Sequence, residues 1–465
     1  MNKTKIVCSI GPASCKVETI EQMIDAGMSV ARFNMSHGTH DSHKTMIDAV
    51  KTARENKGAS VGILIDTKGP EIRVKQFEKG KVVLKDNDTF VLTSKDVAGT
   101  AEKVSITYKN LPKIIKKDAK ILLNDGNIEL KVQKTTAIEI SCLVVHGGEL
   151  SNNKSINIPG IKTDMPYLSE TDKQDILFAK EMDADFIAIS FVNSAQDVQD
   201  VRNYLREIKF TNVQIISKIE SEEGVKNFDK ILKLSDGIMV ARGDLGVEID
   251  FVKIPILQKE FISKCNQAGK IVITATQMLE SMIQNARPTR AEISDVANAV
   301  FDGSTCIMLS GETASGNFPV ETIKTMKRIA LESESYQPCP NKIIKTHDTS
   351  KSLGYAVYSL AKTEDVTAIV AVTRTGITAE NISRFRPNVP IIACTPNEKT
   401  FHKMSIMYGV VPVMDKTYKD INQLNQSSFE KALATNIVKK NDKVVLVSGL
   451  VAGKSGSNLM LIKKL

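Results

Sequence analysis

The 465-residue sequence contains no tryptophan, and aromatic residues of all kinds make up only 5% of it. That scarcity excludes little, but other absences exclude more. No stretch approaches the ~20 consecutive apolar residues of a membrane-spanning helix. The apolar run at the start, MNKTKIVCSIGP, is too short for a secretory signal. The seven cysteines (Cys8, Cys15, Cys142, Cys265, Cys306, Cys339, Cys394) are odd in number, widely spaced and never paired as CxxC. This argues against a disulfide framework or a zinc site and places the protein in a reducing cytoplasm. Charge of one sign does not dominate either: 62 Lys and Arg against 54 Asp and Glu give a net +8, with the lysines scattered. Such a balance suits anionic metabolites and provides no nucleic-acid surface. What is present, 42% hydrophobic and 25% charged residues, is ordinary for a soluble globular chain. The length exceeds one core and predicts about three domains.

Strand and helix patterns alternate from the start: strand 5–10, helix 17–25, strand 29–34, helix 40–56, strand 61–65. Alternation of this kind predicts parallel strands with crossover helices. From about Gly69 to Pro166 the pattern changes to short β-like pieces separated by turns such as Asn124-Asp125-Gly126-Asn127, which predicts an inserted all-β unit. The earlier rhythm then resumes with helix 169–181, strand 186–191, helix 195–208, strand 213–219, helix 222–234, strand 237–241, helix 254–268, strand 270–274, helix 289–300, strand 306–309 and helix 319–331. Eight strand–helix units match a closed (β/α)8 barrel, whose reactive groups gather at the C-terminal ends of the strands. The expected α/β architecture is therefore a barrel (1–69 and 167–344), an inserted small β-barrel lid (70–166) and a C-terminal α/β domain (345–465), reached through a polar linker with Pro338 and Pro340.

The chemistry concentrates between Ile215 and Glu248. Side chains alternate across a strand, so Lys218 and Glu220 leave theirs on the same side. The next apolar strand ends in Arg242-Gly243-Asp244-Leu245-Gly246, where glycines let the backbone bend or come near a ligand. If the two strands are parallel neighbours, Glu220 and Asp244 share one opening, and two carboxylates without soft ligands suit a hard divalent ion such as Mg2+. The blander reading, a pair of surface salt bridges, is weakened by the apolar strands on both sides. Arg32, Asn34, Ser36, Asp66, Thr67 and Thr276 also fall at predicted strand ends.

Seven segments in order, VARFNMSHG from Val30, DTKGPEIR from Asp66, ISKIESEEG from Ile216, MVARGDLGVE from Met239, TATQMLESM from Thr274, RPTRAE from Arg287 and DGSTCIMLSGETASG from Asp302, closely resemble the pyruvate kinase family, over essentially the whole chain. The resemblance implies phosphoryl transfer from phosphoenolpyruvate to ADP, giving pyruvate and ATP. It assigns Lys218 to the phosphoryl group in flight, Arg32 to the phosphate, the amides of Gly243 and Asp244 to the substrate carboxylate, and Thr276 to the substrate. Glu220 and Asp244 would hold Mg2+ or Mn2+. Asn34, Ser36, Asp66 and the Thr67 carbonyl would hold K+, with Glu71 the residue type of potassium-requiring members. Asn34, His37, Arg73 at the barrel edge and Lys154 on the lid correspond to nucleotide positions. A homotetramer of the short bacterial form is also implied. Proton delivery to the enolate stays open between the Thr276 hydroxyl and a chain of waters.

Two C-terminal loops resemble phosphate cradles. Thr373, Arg374, Thr375, Gly376 and Thr378 lie between a strand and a helix, where backbone N–H groups meet anions, although Thr and Gly also occur there simply as caps. The second loop, Ser448 to Ser455, nearly spells a Walker A motif, but it begins with Ser and is followed by the strand-like 459–462, which rejects a P-loop. The two loops, with Arg374 and Lys454, match family positions for a sugar-phosphate activator. His37, His40 and His43 are spaced to cap or solvate a helix start, and Met278 and Met282 to pack as a core-facing helical stripe. Two other functions compete. A different barrel enzyme acting on phosphoenolpyruvate or a keto acid would share Glu220 and Asp244 but need no Lys218, lid or K+ set, and a metabolite sensor would bind without turnover.

Overall fold

In a computed structural model of the chain, residues 2–336, 348–449 and 457–465 are described. Eight parallel strands, Lys5–Ser9, Met28–Asn34, Gly62–Asp66, Phe186–Ile189, Gln214–Ile219, Gly237–Ala241, Ile271–Ala275 and Cys306–Leu309, close into a barrel in sequence order. They read as near-continuous apolar runs because they are covered on both faces, by helices outside and by packed side chains within. Val7, Val30, Leu64, Phe186, Ile216, Met239 and Ile273 fill the inside. The helices start where local chemistry provides caps. Thr39, Ser169, Ser194 and Thr289 each accept a hydrogen bond from the third residue of their helix, whose own side chain returns the bond.

Two expected helices take other forms. The segment 222–234 is two helices, Glu222–Lys226 and Phe228–Leu234, divided at Asn227. The methionines of TATQMLESM lie in a tight turn and the 3-10 segment Glu280–Ile283, and not on an α-helical stripe, although both are fully buried as core.

The inserted unit carries a seven-stranded sheet in which the edge strands Ile72–Arg73 and Lys103–Ser105 are linked by a single bridge, Val74 to Ile106. Backbone bonds from Thr107 to Arg73 (3.0 Å) and from Lys75 to Ser105 (2.8 Å) complete that closure. Short strands such as Ser155–Asn157 evade sequence patterning, since two or three residues carry no period.

The C-terminal domain is a five-stranded sheet, parallel except for the edge strand Leu459–Lys464. It plugs the N-terminal end of the barrel. Met404, Ile406 and Met407 join the barrel's inner core, Ser405 Oγ accepts from the Gly62 amide at 3.1 Å, and Lys399 Nζ meets Asp185 Oδ1 at 3.0 Å. With one end sealed, chemistry is confined to the opposite end of the strands, facing the lid. Among the described residues no helix is long and apolar enough to cross a membrane, and their six cysteines are free thiols. Cys339, Pro338 and Pro340 lie outside the described residues.

Candidate active site

A cleft of about 640 Å³ opens between the C-terminal ends of the barrel strands and the lid. From the barrel come Arg32, Asn34, Ser36, His37, Lys218, Glu220 and Asp244, and from the lid Glu71, Arg73 and Lys154. Arg73 therefore sits on the first lid strand and not at the barrel edge.

Lys218 is the centre of charge. Its Nζ lies 2.7 Å from Ser190 Oγ, 3.1 Å from Asp66 Oδ1 and 3.0 Å from Glu220 Oε1. Burial disfavours the ammonium, yet Asp66 and Glu220 more than offset this and hold its pKa above the usual lysine value. Arg32, also buried, gives Nε to Asp66 Oδ2 and Nη1 to Ser9 Oγ, both at 2.7 Å. Burial works against the Asp66 carboxylate too, but Lys218 and Arg32 keep its pKa below the ordinary range.

Glu220 is wholly buried. Its Oε2 accepts from the Phe191 amide at 2.7 Å, while Oε1 has the Lys218 ammonium in range but no well-aligned hydrogen bond. Burial pushes its carboxyl up to about 8; Lys218 pulls the other way, and Asp244 adds like-charge repulsion. A buried acid beside a second acid, with one oxygen poorly satisfied, is a place that a cation would complete. The donor set thus fits a hard divalent ion.

Asp244 lies in the first turn of the short helix Arg242–Glu248. Gly243 and Thr276 are half-buried beside it and bond to each other. The Gly243 amide donates to Thr276 Oγ1 at 2.8 Å, and that hydroxyl donates to the Ala275 carbonyl at 2.6 Å. Thr276 and Gln277 hold φ of 69° and 55°, a conformation that residues with a Cβ adopt at a cost. Arg242 clasps this turn, giving Nη2 to the Thr276 carbonyl and Nη1 to Asp295 Oδ1, both at 2.6 Å. Arg242 stands inside a motif quoted for its glycines and Asp244; its role arises from contacts over thirty residues away and has no local signature.

The K+ set is only partly open to the cleft. Asn34 and Ser36 line it, with Asn34 Oδ1 accepting from the Ser36 amide at 3.1 Å. Asp66 is shared between Arg32 and Lys218, and the Thr67 carbonyl accepts from Ser190 Oγ at 2.7 Å. Glu71 is engaged by Arg73 Nε at 2.7 Å. The three histidines part company. His37 lines the cleft, its carbonyl takes His43 Nε2 at 2.6 Å, and His40 binds Asp175 at 2.6 Å.

In the C-terminal domain Thr373, Arg374, Thr375 and Thr378 line a second cavity of about 420 Å³. Gly376, at φ 88°, opens the helix Ile377–Ser383 and gives its amide to Thr373 Oγ1. Lys454 lies outside the described residues. Lys416, which sequence reading did not single out, lines the same cavity.

Comparison with known proteins bears on the family of the whole chain. Residues 1–323 match the family model "Pyruvate kinase, barrel domain" and residues 351–463 match "Pyruvate kinase, alpha/beta domain". The pyruvate kinases of Sporosarcina psychrophila and Geobacillus stearothermophilus are each 46% identical over 470 residues, covering 99% of this chain and 80% of the relative. That of Staphylococcus aureus strain MRSA252 is 44% identical over 468 residues, with the same coverage. The chain belongs to the pyruvate kinase family.

Proposed function

We propose that this chain catalyses the pyruvate kinase reaction, in which the phosphoryl group of phosphoenolpyruvate passes to ADP, giving ATP and an enolate that takes a proton to become pyruvate. Family membership supports this. So does one observation in particular: a buried ammonium, Lys218, bracketed by Asp66 and Glu220 at the floor of a cleft whose roof carries Arg73 and Lys154. The other barrel-enzyme reading leaves that ammonium and the lid cations without a task.

Phosphoryl transfer needs positioning and charge neutralisation more than covalent work. Arg32, fixed by Asp66 and Ser9, holds the phosphate end of phosphoenolpyruvate. Lys218 stands beside it and meets the phosphoryl oxygens as they leave the enol oxygen. Glu220 and Asp244 would hold Mg2+ or Mn2+, which when bound draws negative charge from substrate oxygens as a Lewis acid. The Thr276–Gly243 pair would open to receive the substrate carboxylate beside the Asp244 amide. Asn34, Ser36, Asp66 and Thr67 would take K+. His37, Arg73 and Lys154 approach the nucleotide phosphates, and lid closure excludes water.

The C-terminal cavity at Thr373–Thr378 is proposed to take a sugar phosphate such as fructose-1,6-bisphosphate. A cytoplasmic homotetramer is the proposed working form. A coupled assay for ATP, with divalent ion, K+ and sugar phosphate varied in turn, tests the reaction, the ions and the activator. No ATP from phosphoenolpyruvate and ADP refutes the reaction. Activity undiminished when a large organic cation replaces K+ refutes the monovalent site. Unaltered phosphoenolpyruvate saturation on adding sugar phosphate refutes the activator.

A further inference from the structure

Ser190 and Phe191 follow the barrel strand Phe186–Ile189, and no motif in the sequence singles them out. Ser190 is buried where several parts of the site meet. Its hydroxyl accepts from Lys218 Nζ at 2.7 Å and donates to the Thr67 carbonyl at 2.7 Å. Its own carbonyl accepts from the Tyr167 hydroxyl at 2.9 Å. A Cβ placed on Gly69 would stand 2.9 Å from both the Ser190 Cβ and the Ser190 carbonyl oxygen, so the chain at Gly69, with φ 72°, presses directly on this residue. Gly69 is where the chain leaves the barrel for the lid, and Tyr167 is where it returns. Both connections between barrel and lid, the hinges of any lid movement, therefore abut Ser190.

The neighbouring backbone is fixed as well. Phe191 holds φ 53° and gives its amide to Glu220 Oε2 at 2.7 Å. A bulky residue in the left-handed region is strained and persists where its surroundings over-determine it. Around the Lys218 ammonium, the acceptors divide by duty. Asp66 is bound to Arg32, and Glu220 is the acid assigned above to the divalent ion. Ser190 Oγ is the neutral acceptor. Its shorter acceptor contact is the Thr67 carbonyl at 2.7 Å, against 3.4 Å to Asp66 Oδ1, which leaves its lone pairs for Lys218.

We infer that Ser190 is a positioning residue that fixes the Lys218 ammonium and passes the placement of both lid hinges to it. This rests on the reading of Lys218 as the group that meets the phosphoryl oxygens.

Steady-state kinetics on the full chain, with phosphoenolpyruvate and ADP varied separately, tests it in Ser190→Ala and Tyr167→Phe, singly and together. A hydrogen bond to a charged group, lost where it matters in the transition state, makes Ser190→Ala lose kcat on the order of ten- to hundredfold. KM for phosphoenolpyruvate should stay within about threefold. Ser190→Thr, which keeps the hydroxyl, should recover most of the loss. Tyr167→Phe should cost a few-fold in kcat, and the double variant should lose less than the product of the single losses, because both act through one contact.

Unchanged kcat in Ser190→Ala overturns the inference. So does a loss in which KM and thermal midpoint move with kcat and Ser190→Thr restores nothing, and so does strict multiplication of the two single effects. If Ser190→Ala does not fold, an unchanged kcat in Tyr167→Phe is decisive against it. The unaltered chain separates the two levels: no ATP from it removes the underlying reading and this inference together, whereas normal turnover with intact kcat in Ser190→Ala removes the inference alone.

Discussion

At the scale of single residues, the site is a set of charges that neutralise one another until substrate arrives. The Lys218 side chain is 11% exposed, and that of Glu220 is fully buried. Replacing Lys218 by Met keeps most of its apolar stem and removes its charge. Lys218→Met is expected to fold, to bind phosphoenolpyruvate nearly as the parent does, and to lose kcat by on the order of a hundred- to a thousandfold, the effect of deleting one preorganised donor in a site shielded from water. Titration of substrate binding beside turnover checks this, and a matching loss of binding would show that the ammonium serves the ground state. Arg242 offers a different test. Arg242→Lys keeps the charge but loses the planar fork that reaches both the Thr276 carbonyl and Asp295. The Thr276–Gln277 turn should relax, with kcat falling about tenfold and little change in nucleotide KM. Lys218 and Glu220 were legible in the sequence because strand alternation is a local rule. Arg242, Ser190 and Tyr167 were not, because their partners lie 23 to 53 residues away and only the closed barrel brings them together.

At the scale of elements, barrel strands and their helices were legible because each carries its own period and caps, while the lid's short strands and the division at Asn227 answer to tertiary contacts. The helix Glu398–Lys403 shows what such contacts can do to chemistry. It lies against the lower end of the barrel, where Lys399 reaches Asp183 and Asp185, and Ser60 Oγ reaches the Phe401 carbonyl at 2.6 Å. His402 on this helix is buried with an unpartnered Nδ1. Burial, aided by the positive charges of Arg54 and Lys399, lowers its pKa to about 3. The folded chain thus keeps His402 neutral where the unfolded chain, with an ordinary pKa near 6.5, takes up a proton. Its contribution to stability is present above pH 6.5 and is lost as pH falls from there toward about 3. Thermal midpoints measured across that window should decline in the parent, and His402→Gln should flatten the decline. An equal slope in the variant would place the acid sensitivity elsewhere.

At the scale of the whole molecule, the C-terminal domain seals one end of the barrel and the lid covers the other, so the lid governs access. Besides its hinges, the lid touches the barrel at the helix that carries Asp244. Asn157 Nδ2 donates to Glu248 Oε1 at 2.9 Å, and a Cβ on Gly126 would stand 3.5 Å from Val247. Burial raises the pKa of Glu248, while the bond from Asn157 works in the opposite direction. This contact ties the lid to the barrel beside the cleft that Lys154 also lines. Asn157→Asp changes one amide to a carboxylate, close in shape, and turns the attraction into like-charge repulsion in a half-buried place, worth about 1 kcal/mol or more. The lid should then rest further open. KM for ADP is expected to rise about tenfold, since the lid supplies Arg73 and Lys154, the proposed nucleotide contacts, while KM for phosphoenolpyruvate, whose proposed contacts are barrel residues, should change little. Lowering the pH toward the carboxylate range should restore part of the ADP affinity, because one of the two facing acids takes a proton and donates again. Kinetics of the parent and of Asn157→Asp at two pH values decide it: a rise in both KM values alike would mean that the contact shapes the barrel floor and not the lid.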